Sequence, residues 1–192
     1  MRYRGVTRIM RRYLGPVLLA ILVFSGCEDP FAGFFQPVPD EPKEEVLRDF
    51  RDADLRDFTA FDVVRVSVVR TDQTGDWDFL LLTTEAGVPQ LAVFGSVAER
   101  TSEAGLIRID SFDGLREAPE DGYNHDSAME IEVGDAFAVV SHRDPGITGR
   151  CRHYAKIEIL DIDSETKEMT FKHLINPNCE DRVLVPGQHG DF

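Results

Sequence analysis

Cysteine, tryptophan, basic residues and long apolar runs are all scarce in this 192-residue chain, and each shortage excludes something. The longest apolar stretch, Leu14 to Phe24, has 11 residues, and Gly15 and Pro16 at its head weaken any helix there. A membrane-spanning helix needs roughly 20 apolar residues, so a retained transmembrane anchor is disfavoured. The 3 cysteines contain no C-x-x-C and no third ligand at fixed spacing, which leaves zinc ribbons and thioredoxin-like motifs without a signal. There is no G-x-S-x-G elbow, no H-E-x-x-H and no glycine-rich loop joining a strand to a helix, so hydrolase, zincin, P-loop and dinucleotide signatures are missing. Neither Cys151 nor Cys179 has an obvious histidine base in the sequence or a helix N-terminus to activate it. The chain reads as a non-enzyme.

Negative charge is plentiful: 35 acidic residues face 21 basic ones, a formal charge of −14. Five of those basic residues, Arg2, Arg4, Arg8, Arg11 and Arg12, stand ahead of the apolar run, and no acidic residue precedes Glu28. Then come Phe24-Ser25-Gly26-Cys27. A cationic start, a short apolar middle and small residues at the cut are the parts of a secretory signal peptide. A cysteine directly after the small pair makes residues 1–26 resemble a bacterial lipoprotein signal, in which the Cys27 thiol is acylated and becomes the new N-terminus. Each buried CH₂ of an acyl chain contributes about 0.8 kcal/mol, so several on one cysteine, palmitate among them, hold a domain to the bilayer. Glu28 and Asp29 resemble the export tag of surface-exposed lipoproteins, with inner leaflet and outer face both open. The expected location is extracytoplasmic, at the outer membrane or cell surface. Removing the leader takes the charge to −19, because it carries five bases and no acids. Such a surface repels phosphate backbones, and nucleic acid is excluded as a partner.

With Cys27 committed to lipid, Cys151 and Cys179 remain as an even pair in an oxidising compartment. Their expected disulfide closes a loop of about 29 residues, worth roughly 3–4 kcal/mol in the chain-entropy model. Residues 27–45 contain Pro30, Pro37, Pro39 and Pro42 with little apolar periodicity, and read as a lipid-anchored flexible tether. Phe31, Phe34 and Phe35 are unusual in a tether, and either insertion at the membrane interface or docking on the domain accounts for them. Residues 46–192 form the folded body. Leu47, Phe50 and Phe58 follow helical spacing, which predicts one or two short helical turns near the echoed Leu47-Arg48-Asp49-Phe50 and Leu55-Arg56-Asp57-Phe58.

Beyond Phe61 the period becomes two. Val64-Val66-Val68 alternates with Arg65 and Ser67, and Trp77-Phe79-Leu81 shares a face with Asp78 opposite. Gln90 to Phe94, Leu106 to Asp110, Met129-Ile131-Val133 and Phe137 to Ser141 continue the pattern. Ala155-Ile157-Ile159 faces inward with Lys156 and Glu158 outward, and Phe171-His173-Ile175 returns after Asp163-Ser164-Glu165-Thr166. β-Branched and aromatic segments separated by Gly, Pro, Asp and Asn predict about eight or nine short strands, hence an all-β fold in one antiparallel sandwich or barrel-like domain. Asp161-x-Asp163-x-Glu165 lacks the glycine and final carboxylate of a calcium loop, and a hairpin turn explains it.

Trp77-Asp78-Phe79 opening a strand, Phe112 followed by Ala118-Pro119-Glu120-Asp121-Gly122-Tyr123 and Asp126, Gly134 before an apolar strand, and Tyr154-Ala155-Lys156-Ile157 before a closing hairpin together resemble the HmuY-like haem-binding lipoproteins over roughly residues 58–176. The resemblance implies a Greek-key type β domain that captures haem outside the cell and passes it to an outer-membrane receptor. The cysteine pair and the Asn176-Pro177-Asn178-Cys179 tail depart from that pattern.

Haem iron takes His axially, among other ligands. His142, in a Gly/Pro loop after a strong strand, is the first candidate ligand, weighed against a merely solvated loop. His125 is the second, weighed against a turn residue. Arg143, Arg150 and Arg152 form a basic cluster suited to haem propionates. His173 shares a face with Phe171 and Ile175 and reads as a packed strand residue, while His153 and His189 have no supporting context. The competing function is a structural or protein–protein interaction lipoprotein with no small-molecule ligand.

Overall fold

The computed structural model describes residues 35–98, 102–144 and 151–190. Cys27, residues 1–26 expected as a leader, and Arg150 lie outside the described residues. Among those described, ten strands and one five-residue helix run in the order β1 (Lys43–Arg48), β2 (Ala60–Asp62), β3 (Ser67–Val69), β4 (Phe79–Thr83), β5 (Pro89–Val93), α1 (Phe94–Ala98), β6 (Gly105–Ile109), β7 (Met129–Glu130), β8 (Ala136–Val140), β9 (Tyr154–Asp163) and β10 (Glu168–Ile175). They build two antiparallel five-stranded sheets, β1-β10-β9-β8-β6 and β3-β2-β4-β5-β7, which do not close into a barrel. The chain is an all-β sandwich.

The period-two pattern explains the layers. Phe61, Phe79, Leu81, Leu91 and Val93 from one sheet meet Leu47, Phe137, Ile157, Ile159, Met169 and Phe171 from the other in a single buried core. Phe61, Phe79 and Phe171 form its centre, with ring centroids 5.3 to 5.6 Å apart. Tilted and edge-to-face contacts of this kind add to the area each ring removes from water. Ala155-Ile157-Ile159 points into this core as the alternation requires.

Neither sheet has a simple wet face. Ala60, Leu80 and Ala92 on the outer side of the second sheet are covered by Trp77, which stacks 4.9 Å from Phe94 of α1. Trp77 therefore packs against the face opposite Phe79 and Leu81, not with them. On the first sheet, residues 110–123 and 182–184 form a cover, with Ala118 N donating to Arg182 O and Leu184 N to Arg116 O. Lys156 does leave the core face of β9, but the cover buries it: its Nζ donates to Leu115 O at 2.9 Å and sits 4.8 Å over the Phe112 ring. Burial lowers its pKa.

Three local expectations are corrected. Val64 to Val68 is not one strand: residues 63–66 turn between β2 and β3, with Val66 at φ 52°. The helical turns near Leu47 are absent, because Lys43–Arg48 pairs along β10 and the following Asp49 and Asp57 carboxylates accept the Arg51 and Asp54 N–H groups in tight turns. The tether expected over residues 27–45 gives way earlier to the body, since Val38 is buried and β1 starts at Lys43. At the β9–β10 hairpin, Asp163 Oδ1 accepts from Glu165 N and Thr166 N, so this carboxylate serves a turn. Cys151 and Cys179 are joined by a disulfide with Cα atoms 5.1 Å apart.

Candidate functional site

His142 stands just past β8, where the first sheet meets the end of the second, and its surroundings differ from a solvated loop. Asp78, the residue before β4, is buried and turns its carboxylate across the junction. Oδ1 accepts from His142 N at 2.6 Å and from the ring Nδ1 at 2.8 Å, while Oδ2 accepts from Val63 N at 2.7 Å. One carboxylate thus satisfies three donors from two sheets. Beside it Asp62, fully buried at the end of β2, accepts from Arg65 N at 3.0 Å and Arg65 Nη1 at 2.6 Å, and the same guanidinium reaches Asp76 at 2.9 Å. The strained turn at Val66 follows directly and brings Arg65 back over Asp62.

The His142 side chain is only 18% exposed. Burial disfavours its charged form, but the bond to Asp78 and the charges of Asp78, Asp62 and Asp76 outweigh that cost and raise its pKa. Because a carboxylate oxygen only accepts, Nδ1 carries a hydrogen. Nε2 is buried and has no hydrogen-bond partner among the described residues. A carboxylate that fixes one ring nitrogen and leaves the other uncommitted is the support that metal-ligating histidines use. Asp62, Asp78 and His142 also offer one ligand atom each within 4.8 Å of one another, a spacing suited to a small cation. In the structure these groups satisfy each other and Arg65, so the cluster is first a latch between sheets.

The other candidates are dispersed. His125 is exposed in a turn with Nδ1 3.0 Å from Ala104 O, and it lies so close over Gly105 that a Cβ there would come within 2.7 Å of the imidazole. Glycine at 105 makes room for that ring. Arg143 pairs with Glu103, and Arg152 pairs with Glu180 through two contacts of 3.2 and 3.0 Å. Both arginines therefore already face carboxylates of their own chain. His173 is buried among aromatic side chains, 4.9 Å from Phe61 and 6.0 Å from Phe171, and neither ring nitrogen is hydrogen-bonded among the described residues. Burial, aided by Lys43, lowers its pKa to about 4. It is the packed strand residue its face predicts.

Sequence reasoning missed two features. Asp78 is one of 35 acidic residues, and only its place ahead of an apolar strand marks it. His153, without context in the sequence, places Nε2 3.5 Å from Cys151 Sγ and Nδ1 3.2 Å from Asn176 O. Cys151 and His153 are two apart in an extended segment and so share a face, which was the available signal. Models of known protein families, curated proteins and solved structures contain no match to this chain.

Proposed function

We propose that this chain is an extracytoplasmic, lipid-anchored binding protein that contacts its ligand through His142. The observation that carries the binding role is the imidazole held by Asp78 with Nε2 uncommitted. The compartment is supported by a cystine in the folded body together with the layout ending at Cys27. Haem is the ligand that the sequence resemblance implies, with the iron on His142. The covered Nε2 and the paired Arg143 and Arg152 favour a bare divalent cation over a porphyrin. Either metal competes with the proton that His142 holds, so binding weakens as pH falls.

Titration of the purified protein with haemin and, separately, with a zinc salt tests the proposal. A Soret band that disappears in His142→Ala supports the haem form, and zinc binding lost in the same variant supports the cation form. No response to either ligand overturns the binding role at His142. Labelling with radioactive palmitate tests the anchor: label is expected on the full chain and absent from Cys27→Ala.

The second reading, a protein–protein interaction lipoprotein, is favoured by one observation. Phe50, Leu55 and Phe58 are exposed beside an open groove of about 320 Å³, with Leu55 74% accessible. A stoichiometric partner recovered from the native envelope, and lost in Leu55→Asp, is its expected signature.

A further inference from the structure

The two halves of the Cys151–Cys179 disulfide sit in opposite environments. Cys151 is fully buried, whereas Cys179 is exposed. His153 lies against the buried sulfur, with Nε2 3.5 Å from Cys151 Sγ. Its tautomer follows from its partners: Asn176 O only accepts, so Nδ1 carries the hydrogen and, in the neutral ring, Nε2 presents a lone pair to Cys151 Sγ at 3.5 Å. Asn176 is itself immobilised. Its N–H donates to Tyr154 O at 2.9 Å, its Nδ2 to Val183 O at 2.8 Å, and its Oδ1 accepts from Asn178 N at 2.8 Å. Sulfur, base and a third group that orients the base form the arrangement that activates thiols elsewhere.

From this asymmetry we propose that Cys151–Cys179 is an exchange-competent disulfide, attacked by small thiols at Cys179 with Cys151 as the leaving sulfur. A thiolate RS⁻ forms a bond to Cys179 Sγ, the Cys151–Cys179 bond breaks, and its electron pair leaves on Cys151 Sγ. The products are the mixed disulfide R–S–S–Cys179 and a Cys151 thiolate beside the His153 imidazole. As the bond breaks, a proton from solvent enters at His153 Nε2, and the resulting N–H donates to the leaving Cys151 Sγ. Stabilising the leaving thiolate accelerates exchange, and attack goes to the accessible sulfur. Return of the Cys151 thiolate onto Cys179 expels RS⁻ and restores the bridge.

The frame around the bridge stands without it. Glu180 N donates to Arg152 O at 2.9 Å, Arg152 pairs with Glu180, and Asp144 N donates to Cys151 O at 2.8 Å. Asn178 Oδ1 accepts from Gln36 N at 2.8 Å, and Asn178 Nδ2 donates to Gln36 O at 2.7 Å. An opened bridge therefore keeps both sulfurs near their places, which suits a reversible thiol-modification site better than a bond whose only task is to prevent unfolding.

The full chain, folded and without denaturant, is incubated with glutathione at pH 7, and the adducts are mapped by mass spectrometry. Glutathione is expected on Cys179 with Cys151 free, and His153→Gln is expected to slow adduct formation on the order of ten-fold. Adduct on Cys151, no adduct until denaturant is added, or an unchanged rate in His153→Gln each overturns the proposal. A second measurement avoids dependence on the folding of the histidine variant. In full-length Cys179→Ser, thiolate absorbance at 240 nm reports on Cys151, with Cys27 blocked by its lipid or by prior alkylation. Absorbance already developed well below the ordinary cysteine range of about 8.5 supports the imidazole partnership, and a midpoint at or above that range overturns it.

Discussion

Two histidines, both largely removed from water, behave in opposite ways, and the contrast between the β10 core and the β8–β4 junction shows what burial alone does. His173 has aromatic rings for neighbours and no hydrogen-bond partner, so burial keeps it neutral with a pKa lowered to about 4. His142 pays a similar cost of burial, yet Asp78 and its acidic neighbours raise its pKa. A buried imidazole takes the charge state its nearest partner rewards. The first site behaves as part of a hydrophobic core, and the second as an ionic latch joining two sheets.

The contrast can be broken most forcefully from the core side. Phe171→Ala removes the ring shared by Phe61, Phe79 and His173, and should cost about 3–5 kcal/mol in urea unfolding. In the same variant, water entering the cavity should move the His173 pKa upward toward its ordinary value, as read by NMR titration of the ring.

Acid sharpens the difference further. His173 binds its proton more readily in the unfolded chain than in the folded one, so its contribution is intact above about pH 6.5 and is lost as pH falls toward 4. Over that window wild type should lose roughly 3 kcal/mol more than His173→Phe. Matching pH–stability curves for the two proteins would remove the aromatic cage as the cause.

At the latch the effects are smaller and of opposite sign in pH. Asp78→Ala strands the Val63 and His142 N–H groups and should cost about 2–3 kcal/mol, with Asp78→Asn milder because an oxygen acceptor remains. His142→Ala should cost about 1 kcal/mol. The raised pKa makes the His142 contribution complete below about pH 6.5 and erodes it as pH rises through the folded value. The His142→Ala deficit should therefore shrink on going from pH 6 to pH 9.

Much of the sandwich was legible because its strands carry strict alternation. β9 and β10 read correctly from Ala155-Ile157-Ile159 and Phe171-His173-Ile175, and the cystine read correctly from the pairing of Cys151 with Cys179 that follows if Cys27 is set aside. The β2–β3 hairpin was hidden because its turn, Val63 to Val66, holds no Gly, Pro or Asn and looks like strand. Lys156 looked solvent-facing because alternation identifies the side of a sheet and not what covers it. The site was less legible for the same reason. His142 was found as a candidate, but Asp78 lies 64 positions away, and only the folded junction selects it from the other carboxylates. His153 acquires its role from Asn176, which chain separation conceals.

The pairing of β1 with β10 carries a temporal consequence. Lys43–Arg48 is the first strand of the body to be synthesised, yet its partner Glu168–Ile175 comes after every other strand. Until that last strand is in place, the early strand has no ladder to join, and the first sheet cannot close along that side. A chain truncated ahead of Glu168 should leave Leu47 exposed to solvent and fall readily to proteases, because the body assembles around a strand that arrives last.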